Sequence, residues 1–158
     1  MGKRSLRGTF GLTAMVALTL TMAACGDDVF GPNPQDVEFA ASLGIDLVNM
    51  TESSTGLFYL DDVVGTGDAA ESGDQVTLNY TGSLANGEQF DAGNDFVITL
   101  GLSNLIAGFT EGVTGMRVEG TRTIVIPSNL GYGSTASSRI PGNSVLVFEL
   151  VVTAIVRP

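Results

Sequence analysis

Apolar and polar residues alternate along most of the second half of this chain, and the period changes only once. Val76, Leu78 and Tyr80 alternate with Thr77, Asn79 and Thr81, the period-2 pattern of a strand with one buried face. Asn86-Gly87 follows and predicts a tight hairpin turn on two residues with positive φ. The return leg, Glu88-Gln89-Phe90-Asp91, puts Phe90 on the same sheet as Tyr80. Phe96, Ile98 and Leu100 alternate again and stop at Gly101. Ile106, Phe109 and Val113 then recur at i, i+3 and i+7, which marks one short amphipathic helix; Gly112 and Gly115 limit its length. Residues 121–126 and 145–155 are rich in β-branched side chains and predict two more strands, the second the longest of all. Upstream, Leu57-Phe58-Tyr59-Leu60 and Val63-Val64 precede the turn Gly65-Thr66-Gly67.

A lone helix among antiparallel strands must cover one face of their sheet. The expected fold is therefore α+β: a curved antiparallel β-sheet wrapped around one short α-helix, in one domain over residues 56–158. Asp91-Ala92-Gly93-Asn94-Asp95 lacks the spacing and terminal glutamate of a calcium loop, so a solvated turn is predicted there. Asp91 itself, directly after Phe90, reads as a buried carboxylate beside an aromatic pocket.

The N-terminus has a different grammar. Lys3, Arg4 and Arg7 precede an apolar run over residues 9–22, of signal-peptide length and too short for a comfortable transmembrane helix. Met22-Ala23-Ala24-Cys25 resembles the lipobox of bacterial lipoproteins, with methionine where leucine is usual. That resemblance implies a signal peptide over residues 1–24, lipidation of Cys25, and an exported chain tethered to a membrane on its periplasmic or extracellular side. Cys25 is the only cysteine, so no internal disulfide competes for it. Residues 25–55 carry turn formers such as Gly31-Pro32-Asn33-Pro34 and read as a tether, with a more apolar stretch over 37–48 that either forms a short helix or lies along the domain.

Removing the signal leaves Arg117, Arg122, Arg139 and Arg157 against 17 acidic residues, a net charge of −13, with neither lysine nor histidine. Phosphate backbones and anionic headgroups repel such a surface, which argues against nucleic acid as a partner and leaves acyl chains as the means of membrane attachment. No nucleophile or metal-ligand set stands out, and neither a metal nor a cofactor is expected.

Several segments together resemble the FKBP-type peptidyl-prolyl cis-trans isomerases. They are Val76-Thr77-Leu78-Asn79-Tyr80-Thr81-Gly82, Gly87-Glu88-Gln89-Phe90-Asp91, Phe96-Val97-Ile98-Thr99-Leu100-Gly101, Leu105-Ile106-Ala107-Gly108-Phe109, Ile126-Pro127, Leu130-Gly131-Tyr132-Gly133, Ile140-Pro141 and Leu146-Val147-Phe148-Glu149-Leu150. The match runs in order from about Gly56 to Val156. It implies catalytic roles for Tyr80, Asp91, Tyr132 and Phe148. It places Phe90, Phe96, Leu105, Ile106, Phe109 and Ile140 in the substrate-binding wall. Phe109 stands where many members carry tryptophan, and residues 134–139 form a loop slightly shorter than usual, without the histidine found there in familiar members.

The resemblance further implies that the Ile106 N–H and the Tyr132 hydroxyl donate to substrate carbonyls, and that Tyr80 bonds Asp91. Proline-containing polypeptides are the expected partners, macrolide inhibitors of the family are expected ligands, and a monomer is expected. A second reading keeps the fold but uses the pocket as a proline-peptide binding module or chaperone with little or no catalysis. Either reading requires an open, ring-lined cavity between sheet and helix.

Overall fold

The computed structural model describes residues 31–158; the expected signal peptide over residues 1–24 and the expected lipidation site Cys25 lie outside the described residues. Six strands, β1 (Thr51–Glu52), β2 (Phe58–Val63), β3 (Gln75–Leu84), β4 (Gln89–Thr99), β5 (Thr121–Ile126) and β6 (Leu146–Val156), accompany one helix, α1 (Ala107–Val113). The strands form one antiparallel sheet in the order β1-β2-β5-β6-β3-β4. This is the expected α+β architecture of a curved sheet with one short helix. The last strand is matched in length by β4, each having 11 residues.

The two faces sort by parity, as a period of two requires. Val76, Leu78, Ile98, Ile124, Ile126, Leu146, Phe148, Leu150 and Val152 join Phe109 and Val113 of α1 in the larger core. The helix approaches the sheet closely because Gly108 and Gly112 face Ile126 and Ile124, and a Cβ at either glycine would collide with the isoleucine opposite. Seven residues make a marginal helix on propensity alone. Its C-terminus is held by Arg122, whose Nη1 donates to the Gly112 carbonyl at 2.9 Å and the Thr114 carbonyl at 3.2 Å. The same guanidinium grips Asp61 with two bonds of 2.7 and 3.0 Å and lies 4.8 Å above the centre of the Tyr59 ring. One side chain thus satisfies otherwise orphaned helix carbonyls and ties them to β2.

The opposite face carries a second core. Phe58, Val125, Val145 and Val147 are buried there under Val37, Phe39, Leu43, Ile45, Leu47 and Met50. The covering segment has no regular helix; it turns through three 3-10 pieces, Pro34–Asp36, Ala41–Leu43 and Leu47–Asn49. Asn33 caps the first by accepting from the Gln35 N–H, and Asp46 caps the third by accepting from the Val48 N–H. The Ala40 N–H also donates to the Ala85 carbonyl at 2.8 Å. Of the two alternatives for residues 37–48, the stretch takes the one that lies along the domain, because the outer face has apolar area to bury. The alternative of a short regular helix over 37–48 is not the one adopted.

Two local expectations change. Of Asn86 and Gly87, only Gly87 has positive φ, at 86°. The turn spans Leu84 to Gly87, closed by the Gly87 N–H to the Leu84 carbonyl, and the Leu84 N–H then donates to the Glu88 carbonyl. This is a longer hairpin in which the glycine alone takes the left-handed position. Residues 91–95 are also strand where a solvated turn was expected. β4 runs through them with a bulge, since Leu78 pairs with Phe96 but Tyr80 pairs with Gly93. Asp95 takes φ 51° and its N–H donates to Asn79 Oδ1 at 2.8 Å. The extra residue bends the strand locally, which a pattern of polar residues alone does not reveal.

Candidate active site

A cavity of about 530 Å³ opens at one end of α1. Tyr80 reaches it from β3, Asp91 and Phe96 from β4, and Phe148 from β6. The run Asn104-Leu105-Ile106-Ala107 enters α1 along its edge, Phe109 comes from the helix, and Gly131 and Tyr132 close it from the loop after β5. The helix is too short to cover the whole sheet face, and aromatic side chains line the remainder.

The rings pack edge to face. Phe109 and Phe148 lie 5.2 Å apart at 81°, and Tyr80 meets Phe109 at 5.7 Å and 84°. Phe96 meets Tyr80 at 5.4 Å and 64°, and Phe90 meets Phe148 at 5.5 Å and 85°. Such contacts direct ring edges at neighbouring faces and fix the shape of the wall. Phe109 and Phe148 are buried, at 4 % and 5 % exposure. The rings leave an open cavity between them, as either functional reading demands.

The polar groups sit at the rim. The Tyr80 hydroxyl donates to Asp91 Oδ2 at 2.9 Å, and the Ala92 N–H donates to Asp91 Oδ1 at 3.0 Å. Burial, then the bond to Asp91 and that carboxylate's negative charge, push the Tyr80 hydroxyl up to about 12. Asp91 is exposed, not buried as expected from the sequence. It sits where β4 borders the mouth, so its charge stays hydrated while both oxygens accept a bond. Among the described residues, the Ile106 N–H donates to no carbonyl, and the Tyr132 hydroxyl, on a side chain 42 % exposed, has no partner. These are two unengaged donors on the wall of an apolar cavity.

Eight of the ten residues singled out in the sequence line this one cavity: Tyr80, Asp91, Phe96, Leu105, Ile106, Phe109, Tyr132 and Phe148. Phe90 and Ile140 fall instead in an adjoining cleft of about 370 Å³, with Ser137, Ser138 and Arg139; Asp91 and Tyr132 border both spaces. Sequence reasoning missed Asn104, Ala107, Gly131 and the three loop residues. Ala107 is the first residue of α1 and falls off its apolar stripe, and the others lie in loops where no periodicity exists to flag them. Another hollow of about 540 Å³ lies on the opposite face, lined by Leu43, Ile45, Met50, Leu60 and Val151 with Asp46, Asp62 and Glu149. It lies on a packing seam, with Asn49, Thr121 and Thr123 beside its acidic groups, and has no aromatic wall, so the ring-lined cavity is the better site. No group of side chains among the described residues is placed to hold a metal ion.

A family model described as FKBP-type peptidyl-prolyl cis-trans isomerase matches residues 67–153. FK506-binding protein 4 of Chaetomium thermophilum is 42% identical over 112 residues, covering 69% of this chain and 22% of that protein. The FKBP-type peptidyl-prolyl cis-trans isomerase FkpA of Buchnera aphidicola is 36% identical over 108 residues, covering 66% of this chain and 43% of that one. The chain therefore spans less than half the length of these relatives. The crystal structure of FkpA from Escherichia coli superposes with a TM-score of 0.64 at 34% identity, covering 69% of this chain and 52% of that chain.

Proposed function

This chain belongs to the FKBP-type peptidyl-prolyl cis-trans isomerase family, and from that premise we propose that it catalyses rotation about X-Pro peptide bonds in exported polypeptides. The observation that carries the proposal is the cavity walled by Tyr80, Phe96, Phe109 and Phe148, with unengaged donors at Ile106 and Tyr132.

Rotation must overcome a barrier of ~18–20 kcal/mol that arises from amide resonance. No covalent bond is made or broken, so the work is selective stabilisation of the twisted form. As the C–N bond twists it loses double-bond character and the imide becomes less polar. An apolar, water-poor wall therefore disfavours the planar imide more than the twisted one. Phe109 and Phe148 supply that wall, with Tyr80 and Phe96 beside them and Phe90 and Ile140 at its outer edge. The Ile106 N–H and the Tyr132 hydroxyl orient the polypeptide through its carbonyls, and Leu105 shapes the entrance. Asp91 fixes the Tyr80 ring and offers negative charge at the mouth. Phe109, smaller than tryptophan, leaves the floor roomier. Macrolide inhibitors of the family would compete for the same space, and the protein would work as a monomer.

A proline-limited refolding assay, with and without such an inhibitor, tests the proposal. Acceleration that the inhibitor abolishes is expected. Folded protein that binds proline peptides without accelerating their isomerisation would shift the assignment to a binding module on the same fold.

Export and anchoring are part of the same proposal, supported by Met22-Ala23-Ala24-Cys25 after a basic and then apolar leader. Cleavage before Cys25 and its lipidation would hold the domain at a membrane on its periplasmic or extracellular side. Wild type should fractionate with membranes and Cys25→Ser should not; equal recovery of both would remove lipidation as the cause.

A further inference from the structure

We propose that the cleft beside the ring-lined cavity is a subsite for an acidic side chain of the polypeptide, with Arg139 as its recognition group. The proposal rests on the reading of the main cavity as the proline site.

Four arginines supply all the positive side chains of the described residues, and three are engaged. Arg117 donates to the Gly67 carbonyl, Arg122 holds Asp61 and the helix end, and Arg157 holds Asp74 with Asp68 and Glu71 nearby. Arg139 alone has no hydrogen bond, ion pair or ring contact. In a chain this acidic a cation without a carboxylate beside it is unexpected, and its position is specific. It lines the cleft of about 370 Å³ that shares Asp91 and Tyr132 with the ring-lined cavity.

The local backbone presents it. Ser137 and Ile140 exchange two backbone bonds, of 2.8 and 2.6 Å, closing a tight turn with Ser138 at φ 42° and Arg139 between them. Ile140 is buried and anchors the turn, while Ser138 and Arg139 are exposed. The Ser137 and Ser138 hydroxyls line the same cleft, so its outer wall is rich in donors. Asp91, the one anion of the cleft, already accepts from Tyr80 and from the Ala92 N–H. The guanidinium is left for an incoming group.

A carboxylate is the side chain whose geometry matches a free guanidinium. An extended polypeptide advances ~3.3–3.6 Å per residue, so spaces that share a wall are reached by side chains one or two residues apart. The overall negative charge opposes acidic ligands at long range. At 0.15 M salt, however, charges beyond a Debye length of ~8 Å are largely screened, and the contact partner prevails.

The test uses proline peptides carrying Glu, Gln or Lys at each position from two before to two after the proline, assayed with wild type, Arg139→Gln and Arg139→Glu. At one position wild type should favour Glu over Gln by about fivefold in kcat/KM, and 1 M salt should erode that ratio. It should fall to near one in Arg139→Gln and turn towards Lys in Arg139→Glu. A wild-type ratio near one at every position, or a ratio that survives Arg139→Gln, overturns the subsite while leaving the isomerase reading intact. If no peptide is isomerised but fluorescence anisotropy shows the same Arg139-dependent preference in binding, the isomerase reading falls and the subsite stands. Absence of both turnover and binding overturns both.

Discussion

The two faces of the sheet are covered by different means. On the helix face the cover is α1, seven residues held at its C-terminal end by Arg122. On the other it is an irregular segment of about twenty residues that contributes six partly buried apolar side chains and three short turns. The helix cover is concentrated and incomplete, and its incompleteness is the cavity. The outer cover is distributed: it buries Phe58, Val125, Val145 and Val147 and leaves a hollow of about 540 Å³ at its own seam with the sheet. Both covers therefore leave a space at their edge, but only the one beside the helix is walled by aromatic rings.

If the helix cover is as concentrated as the contacts indicate, removing Arg122 should have the largest effect. Arg122→Leu leaves Asp61 without its cation and two helix carbonyls without donors. Arg122 is buried but the Asp61 side chain is 32% exposed, so the cost falls below that of a fully buried pair, at ~2 kcal/mol, to be read from urea unfolding. Isomerase activity should fall further than stability alone explains, because Phe109 rides on that helix and Ile106 leads directly into it. A loss below ~1 kcal/mol would mean that the helix is held by its glycine–isoleucine contacts instead.

Phe39→Ala probes the other cover. Phe39 is one of six apolar side chains sharing the load and is only partly buried, so a cost of ~1 kcal/mol is expected, typical of a single substitution. Isomerisation by the folded variant should match wild type. Loss of activity without unfolding would show that the faces are coupled through the sheet, and the division drawn between them would fail.

Asp91→Asn acts inside the cavity mouth. It keeps a partner for Tyr80 but removes the charge, and turnover should drop within a two- to tenfold range, the span of one net hydrogen bond. The alkaline limb of stability provides a second reading. Tyr80 holds its proton more tightly when folded, up to about 12, chiefly through burial and next through Asp91. Its contribution is intact below the unfolded value of ~10. It is lost as pH rises through the folded value, because the unfolded chain releases its proton first. In Asp91→Asn the upper edge of that window should move down but remain above the unfolded value, since burial persists.

The difference between the faces also explains what was legible in the sequence. Val76, Leu78, Ile124, Leu146 and Leu150 carry a strict period of two, and Phe109 and Val113 a helical one, so the helix face and its ring cluster could be read directly. Val37, Phe39, Leu43, Ile45, Leu47 and Met50 follow no period, because successive 3-10 turns impose none, so the sequence left open whether that stretch forms a helix or lies along the domain. The bulge at Asp95 and the exposure of Asp91 were hidden for a related reason. Both depend on how β4 pairs with β3, a tertiary relation to which residue types give no clue. The cavity wall was legible through its aromatic residues and the family pattern they share. The loop donors Ser137 and Ser138, with Arg139, carried no local signal.

The smallest expected effect lies far from both covers and checks that the ledger of charges is right. Arg157, next to the C-terminal end of β6, donates to both oxygens of Asp74 at 3.2 and 3.1 Å and to the Ala69 carbonyl. Asp74 also accepts from the Glu71 N–H. The bond from Arg157, followed by that backbone bond, holds the Asp74 carboxyl below its ordinary value. A carboxylate lowered in this way stabilises the fold above its unfolded value of ~3.9 and loses that contribution as pH falls through the folded value. Arg157→Ala should therefore lower Tm slightly at pH 7, and the gap from wild type should close as the solution is acidified below pH ~4. Asp68 and Glu71, 3.8 and 3.7 Å from the guanidinium and well exposed, contribute little at physiological salt because solvent screens them. Raising the salt at pH 7 should consequently leave most of the gap in place. A gap that salt abolishes, or that persists unchanged at low pH, would assign the effect to the surface pairs or to packing of the arginine stem rather than to Asp74.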